Sequence, residues 1–118
     1  MTGLDVDRAL FHRLARPSIA AGGAMTATWQ VVVHGRVQGI GYRAACVVEA
    51  RRIGLSGWVR NRCDGSVEVI AHGEAAQLLA LCEWMRQGPP GAQVSSCDID
   101  KAWVAESPLK DFEQRVSI

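Results

Sequence analysis

The chain has 118 residues, 48% of them apolar and 21% charged, which places it among folded globular domains and excludes a largely disordered chain. A chain of this size forms one domain that hides roughly 65% of its unfolded surface, enough to stand without a disulfide or a structural metal. Thirteen Lys and Arg against twelve Asp and Glu leave a formal charge of +1, so no broad basic field calls for nucleic acid or a membrane surface as partner.

Residues 1–24 differ in texture from the rest, mixing Ala, Gly and scattered charge and closing on Ala20-Ala21-Gly22-Gly23-Ala24. They read as a flexible N-terminal extension ahead of a domain spanning 25–118. Leu4, Ala9, Leu10 and Leu14 make one short amphipathic stripe, and an isolated helix of that length is marginal in water. Asp5, Asp7, Arg8, Arg13 and Arg16 break any secretory pattern, and the two acids argue against a transit peptide. Met25 offers a second start for translation, and the sequence does not choose between it and Met1. No apolar run reaches the roughly 18 residues of a membrane span. Cys46, Cys63, Cys82 and Cys97 form no CxxC pair. The expectation is a reduced, cytoplasmic monomer.

From Trp29 the pattern turns regular. Trp29-Gln30-Val31-Val32-Val33-His34 reads as a strand ending at Gly35. Arg43 to Ile53 sets Cys46, Ala50 and Ile53 on one stripe and Glu49, Arg51 and Arg52 off it, predicting an amphipathic helix stopped by Gly54. Ser56 to Arg62 and Ser66 to His72 read as strands joined by the turn signal Asp64-Gly65, the second alternating Val67, Val69 and Ala71 against Glu68, Ile70 and His72. Glu74 to Arg86 repeats apolar residues at Leu78, Leu81, Cys82 and Met85 and is closed by Gly88-Pro89-Pro90-Gly91. A fourth strand is expected within Val94 to Val104 and a short last one in Phe112 to Ile118. The order β-α-β-β-α-β predicts an α+β, ferredoxin-like split βαβ: an antiparallel sheet with two helices on one face. Val31, Val33, Val59, Val67 and Val69 then face the helices, and His34, Trp58 and Ile70 the open side.

Chemistry concentrates in His34-Gly35-Arg36-Val37-Gln38-Gly39-Ile40-Gly41-Tyr42-Arg43, where three glycines join a strand to a helix N-terminus. Glycines admit backbone angles that turn successive N–H groups inward, and the helix start adds unpaired donors and a positive dipole end, so the loop can cradle an anion. Arg43 in the first turn would set a guanidinium over the same spot. A tight turn beside a solvated arginine is the plain alternative. Gly39 to Ala44 also fits the G-x-G-x-x-A dinucleotide fingerprint, but that fold needs a parallel second strand where Asp64-Gly65 announces a hairpin. Further on, Asn61 shares the helix-packed face with Val59, and an amide at such a strand end needs a partner or caps the turn.

The two segments Gly35-Arg36-Val37-Gln38-Gly39-Ile40-Gly41-Tyr42-Arg43 and Gly57-Trp58-Val59-Arg60-Asn61-Arg62-Cys63-Asp64-Gly65-Ser66-Val67 together resemble the acylphosphatase signature. Ile40 and Tyr42 stand where that signature carries Val and Phe, keeping bulk, and the resemblance covers roughly Gln30 to Phe112. It implies hydrolysis of the carboxyl-phosphate bond of a small acyl phosphate with no metal or cofactor. In that reading Arg43 and the backbone N–H groups of Val37, Gln38, Gly39, Ile40, Gly41 and Tyr42 hold the phosphoryl group, and Asn61 orients the attacking water. A non-catalytic module that binds phosphate or acyl phosphate through the same loop is the alternative. His34 and His72 are expected at the surface, Cys46 and Cys82 in the core, and Cys63 near Asn61.

Overall fold

Odd-numbered residues of an extended Trp29–Val33 segment all face one way, and Trp29, Val31 and Val33 form one wall of the core with Val59, Val67, Val69 and Ala71. The facing wall comes from the two helical stripes, Tyr42, Cys46 and Ala50 on one helix and Leu78, Leu81, Cys82 and Met85 on the other. Each of the larger aliphatic side chains contributes about 1.5–3 kcal/mol by leaving water. The computed structural model describes residues 18–19, 25–104 and 109–118. The stripe from Leu4 to Leu14 lies outside them.

In chain order the elements are β1 (Ser18–Ile19), β2 (Met25–Arg36), α1 (Tyr42–Ile53), β3 (Ser56–Asn61), β4 (Val67–Glu74), α2 (Ala75–Gln87), β5 (Gln93–Asp100) and β6 (Phe112–Gln114). Both helices stop where the sequence says they must. Gly54, at φ 99°, donates its N–H to Ala50 and Arg51 carbonyls, and Gly88 donates to Trp84. α2 opens with a reciprocal capping box between Glu74 and Gln77.

β2 lies between β4 and β5 and is antiparallel to both, while β3 pairs with β4 and never with β2. This is the split βαβ arrangement, and it removes the dinucleotide-fold reading of the glycine loop, which requires β2 and β3 to be parallel neighbours. β2 is longer than the Trp29 start implies, because Ala27 and Thr28 continue the ladder against Gly73 and His72. β1 adds two pairs, Ser18 to Thr26 and Ile19 to Met25.

The sheet is mixed rather than wholly antiparallel, because β6 pairs with β3 in parallel, Val59 lying opposite Gln114. The cause is geometric. β5 ends beside Gln30 and β3 begins beside His72, at the same end of the sheet, so a chain crossing from one to the other can only run back up alongside β3. β2, β3 and β6 therefore all run the same way, and their carboxyl ends meet at one edge.

The register places His34, Trp58 and Ile70 on the face away from the helices, as their alternation predicts. That face is nonetheless closed: Ile70 and Trp58 are 1% and 9% exposed. The Arg60 and Arg115 guanidinium carbons lie 4.6 and 4.9 Å from the Trp58 ring centroid. Buried Glu68 accepts from Arg60 Nε at 2.8 Å and from Gln30 Nε2 at 2.7 Å. Long polar side chains lie flat over the apolar ones, a covering that a hydrophobic alternation alone does not reveal.

Because β1 offers only two register pairs among the described residues, a chain beginning at Met25 is expected to melt cooperatively within a few degrees of the full chain. Calorimetry of the two chains checks this, and a broad or strongly lowered transition would count against it.

Candidate active site

The glycine loop turns at the carboxyl end of β2, and two of its glycines adopt left-handed angles, φ 77° at Gly39 and 79° at Gly41. A Cβ at either would meet open space, so what demands glycine there is the backbone angle. Gly41 is the N-cap of α1 and provides no side-chain acceptor, and the first turn carries no acidic residue. The first intrahelical bond runs from Ala45 N to Gly41 O at 3.0 Å. The N–H groups of Tyr42, Arg43 and Ala44 are thus left for an external acceptor, as at any uncapped helix start.

Gln38 fixes the loop to the β3–β4 hairpin. Its Nε2 donates to the Arg62 carbonyl at 2.8 Å and to the Ser66 carbonyl at 2.9 Å. The hairpin is itself tightly tied: Asp64 Oδ1 accepts from Ser66 N at 2.9 Å and from Ser66 Oγ at 2.5 Å. These bonds hold the Asp64 carboxyl below the usual carboxylate range. Asn61, the last residue of β3, is therefore set directly opposite the loop.

Between them lies a cavity of about 120 Å³ lined by Val37, Gln38, Gly39, Gly41, Tyr42, Arg43, Ala44, Asn61 and Gln114. The fold thus brings together Arg43, Asn61 and all of the predicted loop residues but one. Ile40 stands outside the lining and packs against the core edge near Gly91. Tyr42 lends only its backbone. Its ring is 2% exposed, tilted against Trp84, and its hydroxyl donates to the Met85 carbonyl at 2.7 Å. Burial pushes that phenol's pKa well above its ordinary value.

Arg43 is loosely held, its Nη1 lying 3.5 Å from the Arg115 carbonyl and 3.4 Å from Ser117 Oγ, both at the long limit of a hydrogen bond. The carboxamides of Asn61 and Gln114 have no hydrogen-bond partner among the described residues. Gln114 was invisible to a reading by sequence motif, because it enters the cavity only through the parallel pairing of β6. Its sole sequence signal was the expected strand from Phe112.

A larger groove, about 500 Å³, opens at the far end of the sheet between Arg51, Ser56, His72, Glu74, Lys110 and Asp111. Two of its charges are paired, Arg51 Nη2 lying 3.3 Å from Asp111 Oδ2, and His72 Nδ1 lies 2.8 Å from Thr28 Oγ1 on the neighbouring strand. Size alone does not make it the reactive site. His34 pairs with Asp98 at 3.3 Å, and both groups are exposed on the open face. All four cysteines are free, Cys46 and Cys82 buried and Cys63 exposed at the hairpin tip. Burial raises the Cys82 thiol to about 11 and the Cys46 thiol further still, so neither is a nucleophile. Among the described residues no three His, Cys, Asp or Glu side chains gather as a metal ion would require, and no helix is long and apolar enough to cross a membrane.

The arrangement is that of a hydrolase built on a phosphate-sized, amide-lined pocket, and comparison with known proteins agrees. Residues 29–114 match the acylphosphatase family model. An acylphosphatase of Cupriavidus necator is 54% identical over 91 residues, covering 77% of this chain and 96% of that one. Among solved structures, an acylphosphatase from Coxiella burnetii superposes with a TM-score of 0.71 at 37% identity, covering 76% of this chain and 93% of that one. One from Bacillus subtilis gives 0.71 at 33% identity, covering 77% and 99%. The chain belongs to the acylphosphatase family. It is an enzyme that hydrolyses acyl phosphates, which sets aside the alternative of a purely binding module.

Two substitutions separate the backbone work of the loop from its side chains. Tyr42→Phe leaves the Met85 carbonyl without its donor and is expected to cost about 1–3 kcal/mol in denaturant unfolding while kcat stays within about twofold. Gln38→Ala unties the loop from the hairpin and is expected to lower both stability and affinity for inorganic phosphate, read by calorimetry and by competitive inhibition.

Proposed function

We propose that the enzyme works by in-line attack of a water on a phosphoryl group gripped by the loop, with Arg43 and Asn61 in separate roles. The observation that carries this reading is the convergence of Arg43, the open N–H groups and an unpartnered Asn61 carboxamide on one small cavity. Backbone N–H groups from Val37 to Tyr42 take the phosphoryl oxygens, helped by the positive end of α1. Arg43 adds a full charge and a planar fork, and its long contacts to the C-terminal segment leave it free to turn onto a ligand.

The leaving group sets what else is needed. An acyl phosphate expels a carboxylate whose conjugate acid has a pKa of roughly 4 to 5, so no general acid has to protonate it. Catalysis then reduces to placing the water and holding the charge. Asn61 cannot take a proton at neutral pH, but its carboxamide oxygen accepts from the water and orients a lone pair toward phosphorus. A bond forms from the water oxygen to phosphorus as the bond from phosphorus to the carboxylate oxygen breaks. The water's proton passes to a phosphoryl oxygen, and the products are carboxylate and inorganic phosphate. No histidine base is required, consistent with His34 and His72 standing elsewhere.

The two side chains are expected to fail differently. Arg43→Ala should lose inhibition by inorganic phosphate together with turnover, by several kcal/mol, as for a charge-assisted pair shielded from water. Asn61→Ala should hold phosphate inhibition within a few-fold while kcat drops about a hundredfold or more. Steady-state kinetics with acetyl phosphate and inorganic phosphate measure both, and normal turnover by Asn61→Ala would return that residue to a turn-capping role.

The residues of this site call for no metal, so full turnover is expected in the presence of a chelator. Loss of activity there, restored by one added metal ion, would refute that expectation.

A further inference from the structure

We propose that Gln114 recognises the acyl half of the substrate, donating a carboxamide N–H to the acyl carbonyl oxygen at the mouth of the cavity. The inference rests on the reading in which Asn61 holds the water. It adds a residue that governs which carboxylate can be expelled.

Three observations converge. Gln114 lines the same cavity as Arg43 and Asn61, brought there from the far end of the chain by the parallel register that sets Val59 beside it. It follows Phe112 by two residues on β6, and Phe112 is fully buried among the helices, so Gln114 projects to the helix side of the sheet, as Asn61 does two residues beyond Val59. Finally, the two carboxamides differ in depth. Asn61 is half-buried, whereas Gln114 is exposed on the edge strand.

That difference in depth decides the assignment. The inner wall is closed, with Val37 and Tyr42 at 0% and 2% exposure, so the acyl half of a bound substrate has room only at the open side. In-line displacement places the water and the leaving oxygen on opposite sides of phosphorus. With the water held at the deeper Asn61, the carboxylate leaves past Gln114. As the phosphorus–oxygen bond breaks, negative charge spreads over both carboxyl oxygens, and a neutral N–H donor to the carbonyl oxygen tightens its hydrogen bond as that charge grows. Such a bond matters most where the departing carboxylate is most basic. Gln114 is free for this role, since its side chain has no partner among the described residues.

The test compares the full-length wild-type chain with Gln114→Leu, which keeps bulk and removes the donor, and Gln114→Glu, which keeps length and places a negative charge there. Each is assayed with acetyl phosphate, benzoyl phosphate and benzoyl phosphates carrying electron-withdrawing groups, with inorganic phosphate as inhibitor. Because the side chain is exposed, both variants are expected to melt as wild type does. Gln114→Leu is expected to lower kcat/KM for acetyl phosphate about tenfold. The loss should shrink steadily as the leaving carboxylate becomes less basic, and phosphate inhibition should stay within about twofold. Gln114→Glu is expected to fall further by repelling the departing carboxylate. A loss equal for every acyl phosphate, a parallel weakening of phosphate inhibition, or unchanged kinetics would each overturn the proposal. Failure of the water assignment shows up separately, as normal turnover by Asn61→Ala.

Discussion

Unpaired backbone N–H groups at the start of α1 are the constraint around which this molecule is arranged. A helix start normally satisfies its first donors with a Ser, Thr, Asp or Asn at the N-cap, and here a glycine in the left-handed region occupies that position. Filling the cap would supply an internal acceptor and compete with any anion. With glycine at that position, leaving the cap empty costs only about a few tenths of a kcal/mol of helix stability. The rest of the local structure keeps those donors aimed. Gln38 reaches across to two hairpin carbonyls, Tyr42 turns its ring inward to anchor the first turn on α2, and the absence of acids in that turn leaves the dipole unopposed.

Much of the fold could be read from periodicity because the core is laid out in simple alternations. Val67, Val69 and Ala71 sit under the helices as their spacing requires, and the stripe Leu78, Leu81, Cys82 and Met85 faces them. The Asp64-Gly65 turn fixed the register of β3 on β4, and with it the location of Asn61. Less legible were features decided by pieces distant in sequence. Phe112 to Gln114 is too short to announce a partner, and its parallel direction follows from where β5 ends rather than from its own residues. Trp58 and Ile70 lie on the open face as alternation predicts, yet the cover that Arg60 and Arg115 lay over the Trp58 ring is something residue type alone does not encode.

The same division holds within the site. Glycine spacing and the helix start identified the loop and Arg43, and alternation along β3 identified the face on which Asn61 lies. Ile40 conforms to the motif, and its side chain packs at the core edge near Gly91, outside the cavity lining. Gln114 completes the lining from a strand that no local pattern ties to the loop. Motifs record residues that must be contiguous to set a backbone, whereas a wall contributed by a single side chain from another strand leaves no such trace.

The parallel seating of β6 has a consequence for how the molecule comes to be active. The walls of the cavity derive from the loop after β2, the first turn of α1, the end of β3 and the chain's last strand, so the pocket is complete only when β6 has paired with β3, a strand 55 residues earlier in the chain. Contacts of such long sequence separation carry a large loop-closure cost and tend to form late. A ligand that fits this pocket therefore binds only the finished fold, and by mass action an occupied pocket draws the closing strand into place. Substrate abundance and the integrity of the C-terminal edge are in this way linked quantities, each favouring the other.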